Sequence, residues 1–155
     1  MIIFVINRLK CPDQSIWCYI EHNSELYDQG IDMKYIIQCY FAPRHFDNEK
    51  WIYTYSKYLN HPVVYGQCGL HPLFSHHFSF QMELNIRRVV KHERVVAIGE
   101  IGLDFYTSSR PSDDVQIYAF IQQLSIAREK NLPVVIHSRN SFIKTMEILC
   151  QVRSV

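Results

Sequence analysis

A carboxylate and an imidazole at the ends of neighbouring strands can share a divalent cation, and two residues of this sequence are placed to do so. Glu100 stands directly after the apolar run Val95-Val-Ala-Ile-Gly99, and His137 closes Pro133-Val-Val-Ile-His137. A charged or polar side chain at the end of such a run is expensive to desolvate unless something meets it. For Glu100 the partner is either a metal cation, or loop amides, or Arg139; for His137 it is a metal or an ordinary hydrogen-bonding group. Mixed oxygen and nitrogen donors on adjacent strands suit a divalent ion. Three further residues follow strands in the same way: His71 in Gly69-Leu-His-Pro72, Asp104 in Gly99-Glu-Ile-Gly-Leu-Asp104, and Arg139 in Ile136-His-Ser-Arg139. Arg139 either offers a planar fork to a phosphate or neutralises Glu100 or Asp104. His71 either faces a bound phosphate or caps a helix. Tyr40, Arg44 and His45 follow the first clear strand and are further rim candidates.

The elements that must carry these residues are legible from periodicity. Short, nearly continuous apolar runs at 34–40, 63–69, 95–99 and 133–137 read as strands covered on both faces, the pattern of a parallel sheet. Between them lie helical patterns. One carries Trp51, Ile52, Tyr55 and Leu59; a second carries Met82, Ile86, Val89 and Val90. The clearest runs from Asp113 to Lys130, with Ile117, Phe120, Ile121, Leu124 and Ala127 as its apolar stripe, Ser112 or Asp113 as N-cap and Asn131 before Pro133 as its stop. A last helix spans about Ser141 to Val152. Strand and helix alternate as βαβ units, whose crossovers are right-handed. A complete (β/α)₈ barrel needs about 250 residues, so the chain of 155 is either a small open sheet or the front half of a barrel. In such folds the carboxyl ends of the strands carry the chemistry. That rule places His71, Glu100, Asp104, His137 and Arg139 on one rim. It places His61, Lys91, His92 and Arg94 on the other, so Arg87, Arg88, Lys91 and Arg94 read as a solvated helix end rather than a nucleic-acid patch.

Composition limits the remaining classes. Forty-eight per cent hydrophobic residues and a net charge of +1 describe a globular domain with no global field for polyanions. The five cysteines form no C-x-x-C pair, which removes zinc knuckles and dithiol redox motifs; Cys39 and Cys68 read as buried, reduced thiols. The apolar start Met1–Ile6 is too short to span a membrane and no small-residue cleavage site follows it. The expectation is an intracellular protein, of cytoplasm or nucleus, with no membrane partner.

Taken in order and spacing, Gly69-Leu-His-Pro72, Val96-Ala-Ile-Gly-Glu-Ile-Gly-Leu-Asp-Phe105, the Gln116…Phe120…Gln123-Leu124…Ala127 helix and Leu132-Pro-Val-Val-Ile-His-Ser-Arg139 resemble the N-terminal portion of the TatD family. These are metal-dependent deoxyribonucleases on a TIM-barrel hydrolase fold. The resemblance covers about residues 34–152 and implies an α/β, roughly half TIM-barrel fold over 34–155. Residues 1–33 would be a divergent segment or degenerate first βα unit. It further implies phosphodiester hydrolysis of DNA or RNA with Mg²⁺ or Zn²⁺. Glu100 and His137 would be catalytic metal ligands, and His71, Asp104 and Arg139 substrate-binding or supporting groups. The family's first-strand His-x-His pair has no counterpart in Met1–Asp32, where Asn7 occupies a comparable place, and its later His- and Asp-bearing strand ends have none before Val155. The expected form is therefore truncated and catalytically impaired. Two rivals are a non-catalytic half-barrel that self-associates through its open sheet edge, and a related barrel hydrolase acting on a cyclic amide or ester.

Overall fold

The computed structural model describes residues 36–47, 59–60, 62 and 64–153. The strand expected at the start of the chain, Asn7, most of the helix expected around Trp51 and His61 lie outside these residues. Four strands form one parallel sheet: β1 (Ile36–Tyr40), β2 (Val64–Cys68), β3 (Val95–Asp104) and β4 (Val134–Arg139). Helix α1 (Phe80–Val89) joins β2 to β3, α2 (Asp113–Glu129) joins β3 to β4, and α3 (Phe142–Arg153) follows β4. The spatial order β1-β2-β3-β4 equals the chain order. An open doubly wound sheet reverses direction at a switch point. Without a reversal, right-handed crossovers lay every helix on one face and curl the sheet into an arc of a barrel. The order of strands thus decides between the two architectures left open by length.

The core fills the space between that face and the helices. Val64, Cys68, Ile98, Ile101 and Leu103 from the sheet pack with Ile86 and Val89 of α1, Phe120, Leu124 and Ile126 of α2, and Ile148 of α3. Helix α2 ends as its sequence indicates. Asn131 takes φ 52°, Leu132 N–H donates to Ala127 O at 2.9 Å and Asn131 N–H to Arg128 O at 3.1 Å, the paired bonds of a Schellman stop. Its stripe differs from the expected one. Phe120, Leu124 and Ala127 are buried, but Ile121 faces solvent, while Gln116 and Gln123 are fully enclosed. The glutamine Oε1 atoms accept from Asp104 N–H (2.8 Å) and Leu70 N–H (2.6 Å), so the helix supplies partners to backbone groups that no neighbouring strand meets.

Strand β3 also departs from expectation. The apolar run predicts a strand over 95–99, yet β3 continues to Asp104. Gly99 pairs with Val135 and Ile101 with Ile136, so Glu100 is the extra residue of a bulge. A bulge re-aims a side chain without ending the ladder, which explains how a carboxylate sits inside a buried strand. At the opposite rim, the helix-end cations are more than solvated charges. Arg88 donates to Phe46 O (2.9 Å), Arg94 donates to Pro62 O (2.7 Å) and lies over the Tyr65 ring, and Arg87 pairs with Glu83 (2.8 Å) and Glu129. Arg87 and Arg94 tie the amino-terminal rim together, Arg88 reaches the turn Pro43–Phe46 that follows β1, and Lys91 alone of the four stays exposed. Among the described residues no helix is long and apolar enough to cross a membrane.

Candidate metal centre

His71 reaches the carboxyl rim because the chain beyond β2 stays paired for three more residues: Gly69 N–H donates to Tyr40 O at 3.0 Å and His71 N–H to Phe41 O at 3.1 Å. Its ring then caps the short 3₁₀ turn Pro72–His77, Nδ1 accepting from Leu73 N–H at 3.2 Å. Pro72 suits the first position of that turn, where an N–H would find no partner. His137 comes from β4, opposite Gly102 of β3. Its Nδ1 lies 3.1 Å from His71 Nε2 and 3.9 Å from Glu100 Oε2, and its Nε2 lies 3.1 Å from Asp104 Oδ2. One donor atom from each of His71, Glu100 and His137 falls within 4.8 Å of the others, close enough to hold one ion.

The hydrogen bonds sort the roles of the two imidazoles. Asp104, 1% exposed, accepts Tyr106 N–H at 3.0 Å through its other oxygen. Burial opposes its ionisation, but the Tyr106 N–H, His137 and the Thr107 N–H outweigh that and hold the carboxyl below its usual range. An ionised Asp104 keeps the His137 proton on Nε2 and leaves the Nδ1 lone pair aimed at the candidate site, the carboxylate–histidine arrangement that orients metal-bound imidazoles. His71 is set differently. With Nδ1 accepting from Leu73, a neutral ring carries its proton on Nε2 and donates to His137. Ligation through His71 Nε2 would require the other tautomer and loss of the Leu73 contact. His137 thus has the ligating tautomer, but its Nδ1 accepts the His71 N–H, so an ion held there displaces that bond as His71 changes tautomer.

Of the residues singled out in the sequence, His71, Glu100, Asp104 and His137 meet at one rim. Arg139 stands at the same rim, in register with Asp104, but makes no ion pair with Asp104 or Glu100 among the described residues. Asp104 is already engaged by His137 and Tyr106, and the Arg139 guanidinium lies 3.8 Å over the Tyr106 ring instead. His45 is a buried structural group whose Nδ1 accepts from Phe41 N–H (2.9 Å) and Ala42 N–H (3.1 Å), Tyr40 belongs to the core, and Arg44 is exposed. The capping alternative offered for His71 is the one observed, its ring accepting from Leu73 N–H. Residue-type reasoning missed the Tyr106 N–H, which had a signal: an Asp at a strand end commonly accepts from the N–H two residues on. It also missed the Cys39–Gln67 pair, in which Gln67 Nε2 donates to Cys39 Sγ at 2.9 Å; burial, with the charge of Glu100 adding to it, pushes that thiol up to about 12.

Burial, reinforced by His137 and partly offset by Asp104, lowers His71 to about 4; burial and Arg44 lower His45 to about 4. Both take up a proton at higher pH in the unfolded chain, near 6.5, than in the folded one. Their contribution is flat above 6.5, and stability is lost as pH falls from 6.5 toward 4. Thermal unfolding across that window is expected to give a falling Tm, and a level Tm would contradict the neutral-histidine assignment.

The sequence profile described as TatD related DNase matches residues 21–155. The chain belongs to this family. A metal-dependent hydrolase of Bacillus subtilis, YabD, is 36% identical over 86 residues, 56% of this chain and 33% of that protein. The Rahnella 3′-5′ ssDNA/RNA exonuclease TatD is 42% identical over 52% of this chain and 31% of its own length. The human 3′-5′ RNA nuclease TATDN2 is 35% identical over 59% of this chain and 12% of that protein. Among solved structures, the Escherichia coli TatD homologue YJJV superposes with a TM-score of 0.64 at 26% identity, covering 77% of this chain and 44% of that one. A TatD-family hydrolase of Entamoeba histolytica gives a TM-score of 0.62 at 22% identity, over 78% and 42%. The TatD likeness spans about a third of the bacterial relatives and under half of the solved structures. The partial parallel α/β barrel expected from the sequence is the fold observed.

Proposed function

We propose that this chain carries the His71–Glu100–His137 part of a phosphodiester-hydrolysing site acting on single-stranded nucleic acid. The observation that carries the reading is the convergence of those three donors, with His137 held in its ligating tautomer by Asp104. The donor set fits a divalent ion. Glu100 Oε2 and His137 Nδ1 would hold it, with His71 Nε2 as a third ligand once its tautomer changes. Two imidazoles and one carboxylate favour Zn²⁺ over Mg²⁺, which prefers oxygen and retains its waters. When bound, such an ion stabilises charge on phosphoryl oxygens and acidifies a coordinated water.

The chain's own groups do the rest. Asp104 keeps a proton on His137 Nε2 and fixes its ring, and Leu73 N–H keeps His71 neutral at Nδ1. Arg139, stacked on Tyr106, presents guanidinium donors at the exposed rim where a phosphate would approach. That relatives are named for activity on ssDNA or RNA supports this substrate class. The test follows release of nucleotides from 3′-labelled single-stranded DNA and RNA with Zn²⁺, Mn²⁺ or Mg²⁺ added. Metal-dependent release is expected, reduced at least about 100-fold in His137→Ala, since an outer-shell loss alone typically costs 10–100-fold. Release that survives His137→Ala would overturn the reading.

A further inference from the structure

Gln116 and Gln123 of α2 are both almost wholly enclosed, at 0% and 1% exposure, and each bonds both backbone groups of one residue at the carboxyl rim, with a further amide contact to Pro111 O (2.9 Å) and Ala119 O (3.1 Å) respectively. Gln123 Oε1 accepts from Leu70 N–H at 2.6 Å while its Nε2 donates to Leu70 O at 3.1 Å. Gln116 Oε1 accepts from Asp104 N–H at 2.8 Å while its Nε2 donates to Asp104 O at 3.1 Å. Each amide thus grips both backbone groups of one residue. Leu70 precedes His71, and Asp104 is the carboxylate on His137. The two gripped positions flank His137, which is bonded to His71 on one side and Asp104 on the other at 3.1 Å each.

We propose that Gln116 and Gln123 are positioning residues that set the separation of His71 and Asp104 and so hold His137 between them. Seven residues apart on a helix is close to two full turns, so both amides leave the same face about 10 Å apart along the axis. The helix is a rigid spacer, and the clamps transfer its spacing to the rim. The arrangement is sensitive because a hydrogen bond near 3 Å is lost within about half an ångström of further separation. An apolar side chain at either position would fill the same volume without gripping the strand. It would leave buried N–H and C=O groups of Leu70 or Asp104 without that partner.

The consequence for activity rests on the proposed hydrolytic reading, but the geometric claim has its own readout. The test compares Gln123→Met and Gln116→Met with Leu124→Ala, which removes a buried side chain from the same helix and touches neither clamp bond. Imidazole ¹⁵N shifts report the tautomers and hydrogen bonds of His71 and His137, and calorimetry with Zn²⁺ reports affinity. Each glutamine variant is expected to move the His71 and His137 signals and weaken Zn²⁺ about tenfold, the lower end of the range for groups that orient a ligand. Leu124→Ala is expected to lower Tm while leaving those signals in place. Gln123→Asn, which keeps the amide but withdraws it by one methylene, is expected to move them in the same direction.

Unmoved imidazole signals in the glutamine variants would overturn the proposal, as would equal movement in Leu124→Ala. So would failure of all three glutamine variants to fold while Leu124→Ala folds, because the amides would then serve the fold as a whole. If the wild-type chain releases no nucleotide, the hydrolytic reading fails and the imidazole signals still decide the clamp.

Discussion

Glu100→Gln is expected to weaken divalent-ion binding by more than about 100-fold, beyond the 10–100-fold that follows loss of an outer-shell partner. The substitution keeps the shape of the side chain and removes only its charge. Glu100 is the one anionic donor in the three-residue set, and its side chain is 12% exposed, so little water screens its attraction for a cation. The two imidazoles that remain are neutral donors, and His71 must first change tautomer to act. Calorimetry with Zn²⁺ and Mn²⁺ reads the loss. Binding of wild-type strength in the variant would remove Glu100 from the site.

Gly102→Ala is expected to cost about 3–5 kcal/mol, a large share of the roughly 5–15 kcal/mol that stabilises a typical domain. Gly102 takes φ 139°, outside the range of ordinary L-residues, and a Cβ there would run into the His137 carbonyl oxygen. The neighbour is backbone of the strand that carries His137, so relief requires β3 and β4 to separate at the site itself. Gly66 makes a useful contrast. A Cβ there would meet Tyr40 Cε2 at 3.2 Å and Leu59 Cδ2 at 3.3 Å, side-chain atoms that can give. Urea unfolding should therefore show Gly102→Ala far below Gly66→Ala in midpoint or in soluble yield. Equal midpoints would show that the close approach of β3 to β4 is not a constraint.

These two effects explain why β3 was only half legible. Its first five residues are apolar and β-branched, and periodicity finds them. The continuation Glu100-Ile-Gly-Leu-Asp104 reads as a loop, because a charge and a glycine normally end a strand. In the folded chain the bulge at Glu100 absorbs the charged residue and Gly102 lets β4 come close. At both Gly99 and Gly102 the group that comes close is β4, at Val135 and at the His137 backbone. On α2 the apolar positions were found at Phe120, Leu124 and Ala127. Gln116 and Gln123 were not recognised as buried, because their burial depends on unpaired backbone groups supplied by other elements.

The sequence by itself determined the parallel α/β class, the four described strands and the rim on which His71, Glu100, Asp104, His137 and Arg139 stand, because period and position relative to strand ends are local properties. Only the tertiary structure decided that the strands run in unbroken spatial order, that Asp104 serves His137 rather than Arg139, and that His71 is held in the non-ligating tautomer. Each of those outcomes depends on which backbone N–H or ring face happens to lie nearest once the strands are side by side. That proximity is set by register, bulge and helix docking, not by residue type.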